Sequence, residues 1–232
     1  MSPNNTPHEG ARELADGTYF VTGTDTDVGK TVATGVIARD LLDAKRRAAT
    51  LKLVQTGCTA GSIDIALHRR IMGTALAEDN PQGEGVSAPQ IFTFPASPHL
   101  AAELDHRALD FNAIERSTKT LESNYDIVLI EGAGGLMVPL TRSLLTIDYV
   151  CGKGWPVIFV TNARLGSINH TLLAWEALQS RGIRIGAVAF NDYCGEGVTP
   201  KEIFNDTRDY LRQEARRRFP EALWIEIPRL RL

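Results

Sequence analysis

The segment Tyr19–Val32, YFVTGTDTDVGKTV, holds the residue types of a phosphate grip. An apolar run, Tyr19–Thr22, leads into a polar loop bracketed by Gly23 and Gly29, and Gly29, Lys30 and Thr31 then open a helical stretch. Backbone N–H groups in such a loop point inward, and the positive end of the following helix attracts anions. Lys30 can reach a terminal phosphate, the Thr31 hydroxyl is a hard oxygen donor for magnesium, and Asp27, Val28, Gly29 and Val32 complete the nucleotide cradle. The commonest loop of this kind reads G-x-x-x-x-G-K-[ST]. Here Thr24, Asp25, Thr26, Asp27 and Val28 all lie between the glycines, so Thr24 stands where the strict pattern has glycine. The same residues could also form a plain strand-to-helix turn.

Glu131 ends the apolar run Tyr125–Ile130 and precedes Gly132, Ala133, Gly134 and Gly135. A carboxylate leaving a buried edge beside so thin a loop suits magnesium, which takes about six oxygens, keeps several waters and needs only one or two carboxylates. Asp64, at a helix start, is the natural second carboxylate and equally an N-cap or first-turn acid. Lys52 comes late in an apolar strand, LKLVQTG, where its charge is costly unless it meets a ligand or reaches solvent. Thr56 and Gly57 follow in a turn that offers a hydroxyl and a close backbone, or only turn residues. In VTNARLGSINHTLLAWEAL, Gly166, Ser167, Ile168 and Asn169 stand at a helix entrance with free N–H groups. Such an end suits a carboxylate, its dipole adding about 0.3–1 kcal/mol to direct hydrogen bonds, although an N-cap by Ser167 or Asn169 explains the same residues. His99 and His170 have no partner at metal spacing and read as structural or as supports behind a site's contacting residues. Arg212, Arg216, Arg217 and Arg218 read as the solvated, positive last turns of a helix rather than a nucleic-acid patch.

These residues fall where apolar runs end, and the elements between them alternate in period. Strands are expected at Thr18–Thr22, Ala48–Val54, Tyr125–Ile130, Trp155–Thr161, Ile183–Phe190 and Leu223–Ile227. Helices are expected from Gly29 to about Ala44, over Ile63–Met72, Phe111–Ser123, Asn169–Ser180 and Pro200–Arg218, with a loop-rich stretch over Gly73–Pro98. Alternation of this kind predicts a doubly wound, mostly parallel sheet in a three-layer α/β/α arrangement. Open parallel sheets bind ligands beyond the carboxyl ends of their strands, which is where the candidate residues lie.

At 232 residues, 43% hydrophobic and 23% charged, the chain suits one domain over 18–232 with a full core. A net charge of −3 gives no bulk attraction for nucleic acid, so any anion site must be local. Cys58, Cys151 and Cys194 lack metal-type spacing and point to reduced thiols in the cytoplasm. No apolar run approaches membrane-spanning length. Residues 1–17, rich in Pro, Asn and charge, read as a disordered extension outside the fold.

Taken together, GTDTDVGKT, KLVQTG, SPHLAA, EGAGGLMVPL, LGSINHTLL and FND resemble, in order and spacing, the dethiobiotin synthetases of biotin biosynthesis, across most of residues 18–191. The loop alone is shared with partition ATPases, which act as nucleotide-switched binding modules, and with cobyrinic-acid amidating enzymes. The resemblance implies a P-loop NTPase-like fold and an ATP- and Mg²⁺-dependent ring closure. In it, 7,8-diaminononanoate takes up CO₂ as a carbamate, ATP phosphorylates the carbamate, and the second amine closes the cyclic urea. It implies Lys30 and Lys52 as the catalytic cations and Thr31, Asp64 and Glu131 as the magnesium group. ATP contacts from Gly132 and Gly134 follow, with Asn191 at the adenine. Thr26, Lys52, Thr56 and Ser97 are implied to face the substrate. Gly166, Ser167 and Asn169 would receive its carboxylate from the neighbouring subunit of a homodimer. Leu53 stands where the family has proline, and Asp27 where glutamate is frequent.

Overall fold

The computed structural model describes residues 9–75, 84–193 and 199–230. Its strands are β1 (Gly17–Gly23), β2 (Ala48–Lys52), β3 (Ile127–Glu131), β4 (Pro139–Thr141), β5 (Leu144–Leu145), β6 (Val157–Asn162), β7 (Ile185–Asn191) and β8 (Leu223–Ile227). Its helices are α1 (Glu9–Arg12), α2 (Lys30–Asp43), α3 (Ile63–Met72), α4 (Glu84–Ser87), α5 (Pro98–Leu104), α6 (Phe111–Asn124), α7 (Thr146–Lys153), α8 (Ser167–Ser180) and α9 (Lys201–Arg218).

Six strands form one sheet in the order β2-β3-β1-β6-β7-β8, and every neighbouring pair is parallel. Parallel strands need crossovers, and the intervening helices cover both faces. Side chains alternate across each strand, so Tyr19, Val21, Ile127 and Leu129 pack with Val36, Ile37 and Leu41 of α2 on one face. Phe20, Val128, Ile130 and Phe159 pack on the other with Ile114 and Leu121 of α6, Trp175 of α8 and Leu211 of α9. β1 lies between β3 and β6, and the polar loop leaves its carboxyl end at the centre of the sheet.

The expected strand and helix ends lie within about two residues of those observed, the ordinary ambiguity of such boundaries. The short β4–β5 hairpin with α7, and α5, which begins in SPHLAA, carry too little periodicity to be legible in the sequence. Part of the expected loop Gly73–Pro98, and Cys194, lie outside the described residues.

The N-terminal segment departs from expectation. From residue 9 on it joins the fold, because Ala11 and Leu14 are buried against the α2 face of the sheet. Gly10 lies so close to β8 that a Cβ there would stand 2.7 Å from the Trp224 carbonyl oxygen. Arg46 reaches back to donate to the Arg12 and Leu14 carbonyls. Two apolar residues at i and i+3 set no readable period, so only their burial reveals them.

The arginine-rich end of α9 is an ion-paired surface, with Arg217 and Arg218 on Glu214 and Arg218 also on Glu176. No described helix is long and apolar enough to cross a membrane.

Candidate active site

Register places the chemistry. β2 and β3 pair so that Lys52 is the direct partner of Glu131, and β1 pairs with β3 so that Val21 faces Glu131 from the other side. Neighbouring residues in parallel strands direct their side chains to the same face, which brings the lysine and the carboxylate together at the sheet's carboxyl edge. Lys52 Nζ lies 2.8 Å from Glu131 Oε1, 2.5 Å from Asp64 Oδ2 and 3.0 Å from the Gly132 carbonyl oxygen. Burial alone would lower the Lys52 pKa, but the Glu131 and Asp64 charges outweigh it and raise it. Glu131 is held far below the usual carboxylate range in the opposite balance: burial raises it, and Lys52 and His68 overcome that.

Asp64 owes its place to the start of α3. Ser62 caps this helix, accepting from the Ile65 N–H at 3.1 Å and donating to Gln55 Oε1 at 2.7 Å. Gln55 Oε1 also accepts from the Asp64 N–H at 3.3 Å. Asp64 is therefore a first-turn acid whose carboxylate is turned to Lys52, not the cap.

The loop after β1 closes over the same point. Gly29 adopts φ 94° and ψ 30° as it enters α2, and Asp27 is also left-handed at φ 60°, which aspartate tolerates better than most residues. Asn191, buried at the end of β7, donates from Nδ2 to the Val28 carbonyl at 3.0 Å and accepts from the Tyr193 N–H. Its amide is thereby engaged in clamping the loop. Lys30 Nζ donates to the Asp25 carbonyl at 2.7 Å, and Thr31 Oγ1 donates to Glu131 Oε1 at 2.9 Å. Burial pushes the Lys30 pKa down to about 8, opposed by Glu131, so an arriving polyphosphate would find a cation short of counter-charge.

Gly29→Ala is expected to disturb this loop strongly. A Cβ there would sit 2.0 Å from Asn191 Nδ2, and the left-handed backbone adds roughly 1–2 kcal/mol for any L-residue. Calorimetry with AMPPNP should show at least tenfold weaker binding together with a lower melting temperature; unchanged affinity would mean that the loop adapts freely.

These groups line a cavity of about 670 Å³, within the usual range for small-molecule sites. Of the residues expected at the site, Thr26, Asp27, Gly29, Lys30, Thr31, Val32, Lys52, Thr56, Asp64, Ser97, Glu131 and Gly134 border it. Val28, Gly132 and Asn191 support its walls instead: Val28 and Gly132 through their carbonyls, Asn191 through its amide. A Cβ on Gly132 would meet Phe20 at 2.6 Å, so the glycine lets β3 turn away over the core. Ser97 Oγ lies 3.0 Å from His99 Nδ1, which gives that histidine a local partner.

Gly166, Ser167 and Asn169 are not among the residues lining the cavity. Gly166 is the N-terminal flank of α8 in a left-handed conformation, with no side-chain cap bond, so neither Ser167 nor Asn169 caps the helix. Ser167 Oγ is buried without a hydrogen-bond partner among the described residues, and Leu165 beside it is 92% exposed.

The donor set of Thr31, Asp64 and Glu131 fits magnesium, since it offers a hydroxyl and two carboxylates, all hard oxygens, with room for phosphate and water. Among the described residues, no group of three or more His, Cys, Asp or Glu gathers into a metal cage.

Sequence reasoning missed His68. It is fully buried, with Nε2 2.7 Å from Glu131 Oε2 and Nδ1 3.1 Å from Thr50 Oγ1. The signal was present, because Asp64 and His68 are four apart on one helix and therefore share a face. Leu53 acquires meaning as well: its N–H donates to the Glu131 carbonyl at 2.9 Å, a bond that proline could not make.

A family model described as an AAA domain matches residues 17–226. The chain is 42% identical over 206 residues to an ATP-dependent dethiobiotin synthetase of Pasteurella multocida, covering 89% of this chain and 94% of that one. To the enzyme of the same description from Chlorobaculum tepidum it is 50% identical over 208 residues, covering 89% and 85%. Among solved structures, a putative plasmid partition protein of Borrelia burgdorferi bound to AMPPNP aligns with a TM-score of 0.50 at 12% identity, over 94% of this chain and 88% of that one. That likeness is one of fold, the three-layer α/β/α architecture.

Proposed function

The chain belongs to the ATP-dependent dethiobiotin synthetase family, and from that membership we propose that its cavity closes the ureido ring of dethiobiotin from 7,8-diaminononanoate, CO₂ and ATP. It is a ligase of biotin biosynthesis. The observation that carries the reading is the meeting of the phosphate loop, two lysines and two carboxylates in one cavity with the hydroxyl-bearing Thr26, Thr56 and Ser97.

One amine of the diamine combines with CO₂ as a carbamate. The γ-phosphoryl group of ATP passes to a carbamate oxygen, ADP departs, and the second amine attacks the carbamic-phosphoric carbon, releasing phosphate and closing the ring. The reaction calls for positioning and charge neutralisation rather than a nucleophilic side chain. Lys30 holds the transferring phosphoryl oxygens, and Lys52, at the edge between phosphate and substrate, holds the carbamate oxygen. The loop amides from Asp27 to Val32 hold the α- and β-phosphates, Gly134 borders the cavity beside them while the Gly132 carbonyl steadies Lys52 there, and Asn191 shapes the adenine side through the loop that it clamps. Thr26, Thr56 and Ser97 orient the diamine. Thr31, Asp64 and Glu131 would hold magnesium, which would supply neutralising positive charge for phosphoryl transfer.

The enzyme works in the cytoplasm as a homodimer, with Gly166, Ser167 and Asn169 serving the partner's cavity. The exposed Leu165, the Ser167 hydroxyl with no partner among the described residues, and the absence of these residues from the lining of their own chain's cavity support that arrangement. Sedimentation velocity should give a dimer; a monomer that turns over at full rate would defeat it.

The direct test supplies diamine, ATP, Mg²⁺ and labelled bicarbonate, then looks for the labelled cyclic urea by mass spectrometry. Good ATP binding with no product would overturn the enzyme reading. ATP turnover stimulated by DNA or a protein partner would instead favour the partition-type ATPase.

A further inference from the structure

We propose that His68 is a positioning residue that fixes the rotation of the Glu131 carboxylate for a divalent cation; this rests on the reading of Thr31, Asp64 and Glu131 as a magnesium group. Thr50 and Lys52 are two apart on β2 and so share a face, and α3 lies over that face with Asp64 and His68 one turn apart. Arg69 Nη1 donates to Thr50 Oγ1 at 2.7 Å, and Arg69 Nη2 donates to Ser87 Oγ at 3.0 Å. With Thr50 Oγ1 accepting from the Arg69 N–H, its own O–H can donate to His68 Nδ1, which leaves Nε2–H to donate to Glu131 Oε2. The hydrogen bonds therefore run in one direction, from Arg69 through Thr50 and His68 to Glu131.

This chain divides the labour of the carboxylate. Oε2 is committed to the buried imidazole, while Oε1 is the oxygen shared by Thr31 and Lys52 at the cavity edge. Without His68, the buried Oε2 would lose its hydrogen-bond partner, and the carboxylate would turn toward Lys52, which already holds Oε1. The hydroxyl and both carboxylates would still be present, but not aimed together. Partners that orient a ligating group in this way typically set about 10–100-fold in metal affinity.

The test uses the full chain and Mn²⁺ as a spectroscopic substitute for magnesium, with AMPPNP present and no diamine. His68→Ala should weaken Mn²⁺ binding, read from the free-ion electron paramagnetic resonance signal, by about 10–100-fold. AMPPNP affinity without metal should stay within about twofold. His68→Gln, whose amide N–H can replace Nε2–H, should recover most of the metal affinity, and it keeps the question open to measurement should the alanine variant fold poorly. Unchanged Mn²⁺ affinity in His68→Ala would overturn the proposal. So would equal losses in both variants accompanied by loss of metal-free AMPPNP binding, which marks general damage. Because neither diamine nor product enters the measurement, failure of ring closure in the unaltered chain is a separate result.

Discussion

Lys30→Ala is expected to lower kcat/KM for ring closure by about 10²–10³-fold, the scale seen when one preorganised donor to a developing oxyanion is removed. The loss should not come from unfolding. Lys30 is a buried cation whose pKa falls from 10.5 to about 8 chiefly through desolvation. A lysine depressed in the folded state binds its proton less readily than in the unfolded chain. It therefore costs stability below about pH 8, and that cost fades as pH rises toward 10.5. Removing the ammonium lifts this cost, while the Asp25 carbonyl it held lies in an exposed part of the loop and can turn to water. At pH 7 the alanine variant should melt at the same temperature as the parent or slightly above it, the exchange of stability for activity expected of a strained site. Steady-state kinetics and circular dichroism melting read the two halves separately. Activity within threefold of the parent, or a clear fall in melting temperature, would contradict the role given to this lysine.

Lys52→Met should behave in the opposite way, losing stability as well as activity. Methionine keeps roughly the length of the side chain but leaves Asp64 and the fully buried Glu131 without the cation that lies 2.5 and 2.8 Å from them. Breaking a buried ion pair from one side typically costs about 3–5 kcal/mol, because the remaining charge stays buried and uncompensated. The variant should recover part of this loss in Mg²⁺, by a larger rise in urea midpoint than the parent shows, since a divalent cation can substitute for the missing charge. Its pH dependence should also reverse. In the parent, the depressed Glu131 pKa contributes stability above the ordinary glutamate range that is lost as pH falls. Without Lys52, burial dominates and raises that pKa, so lowering the pH from neutrality should stabilise the variant. A Lys52→Met protein as stable as the parent and indifferent to Mg²⁺ would remove the lysine from the centre of this site.

The two lysines show how much of the site could be read without coordinates. Both were legible as chemically costly residues, Lys30 from its place after a glycine loop and Lys52 from its position late in an apolar strand. Nothing local distinguishes their environments, which make one a depressed cation and the other a raised one. Glu131 was legible as a carboxylate at a strand end, but its bonds to Thr31, Lys52 and His68 join four segments separated widely along the chain. The helix entrance at Gly166 was legible as a place with free N–H groups, whereas its absence from the cavity lining is a matter of tertiary packing. The N-terminal helix escaped because a pair of apolar residues sets no period.

By itself the sequence determined what short-range chemistry controls: the alternating strand and helix periods, the glycine-bracketed loop, and the residue types at the strand ends. It also carried the family, through motifs whose order survives without any knowledge of their distances. The tertiary structure decided which of these residues meet. Strand order β2-β3-β1 set Lys52 beside Glu131, the packing of α3 over that edge brought Asp64 and His68 to them, and Asn191 reached across the sheet to lock the loop at Val28. Those juxtapositions follow from burying both faces of a parallel sheet, a cooperative property of the whole chain that no window of neighbouring residues contains.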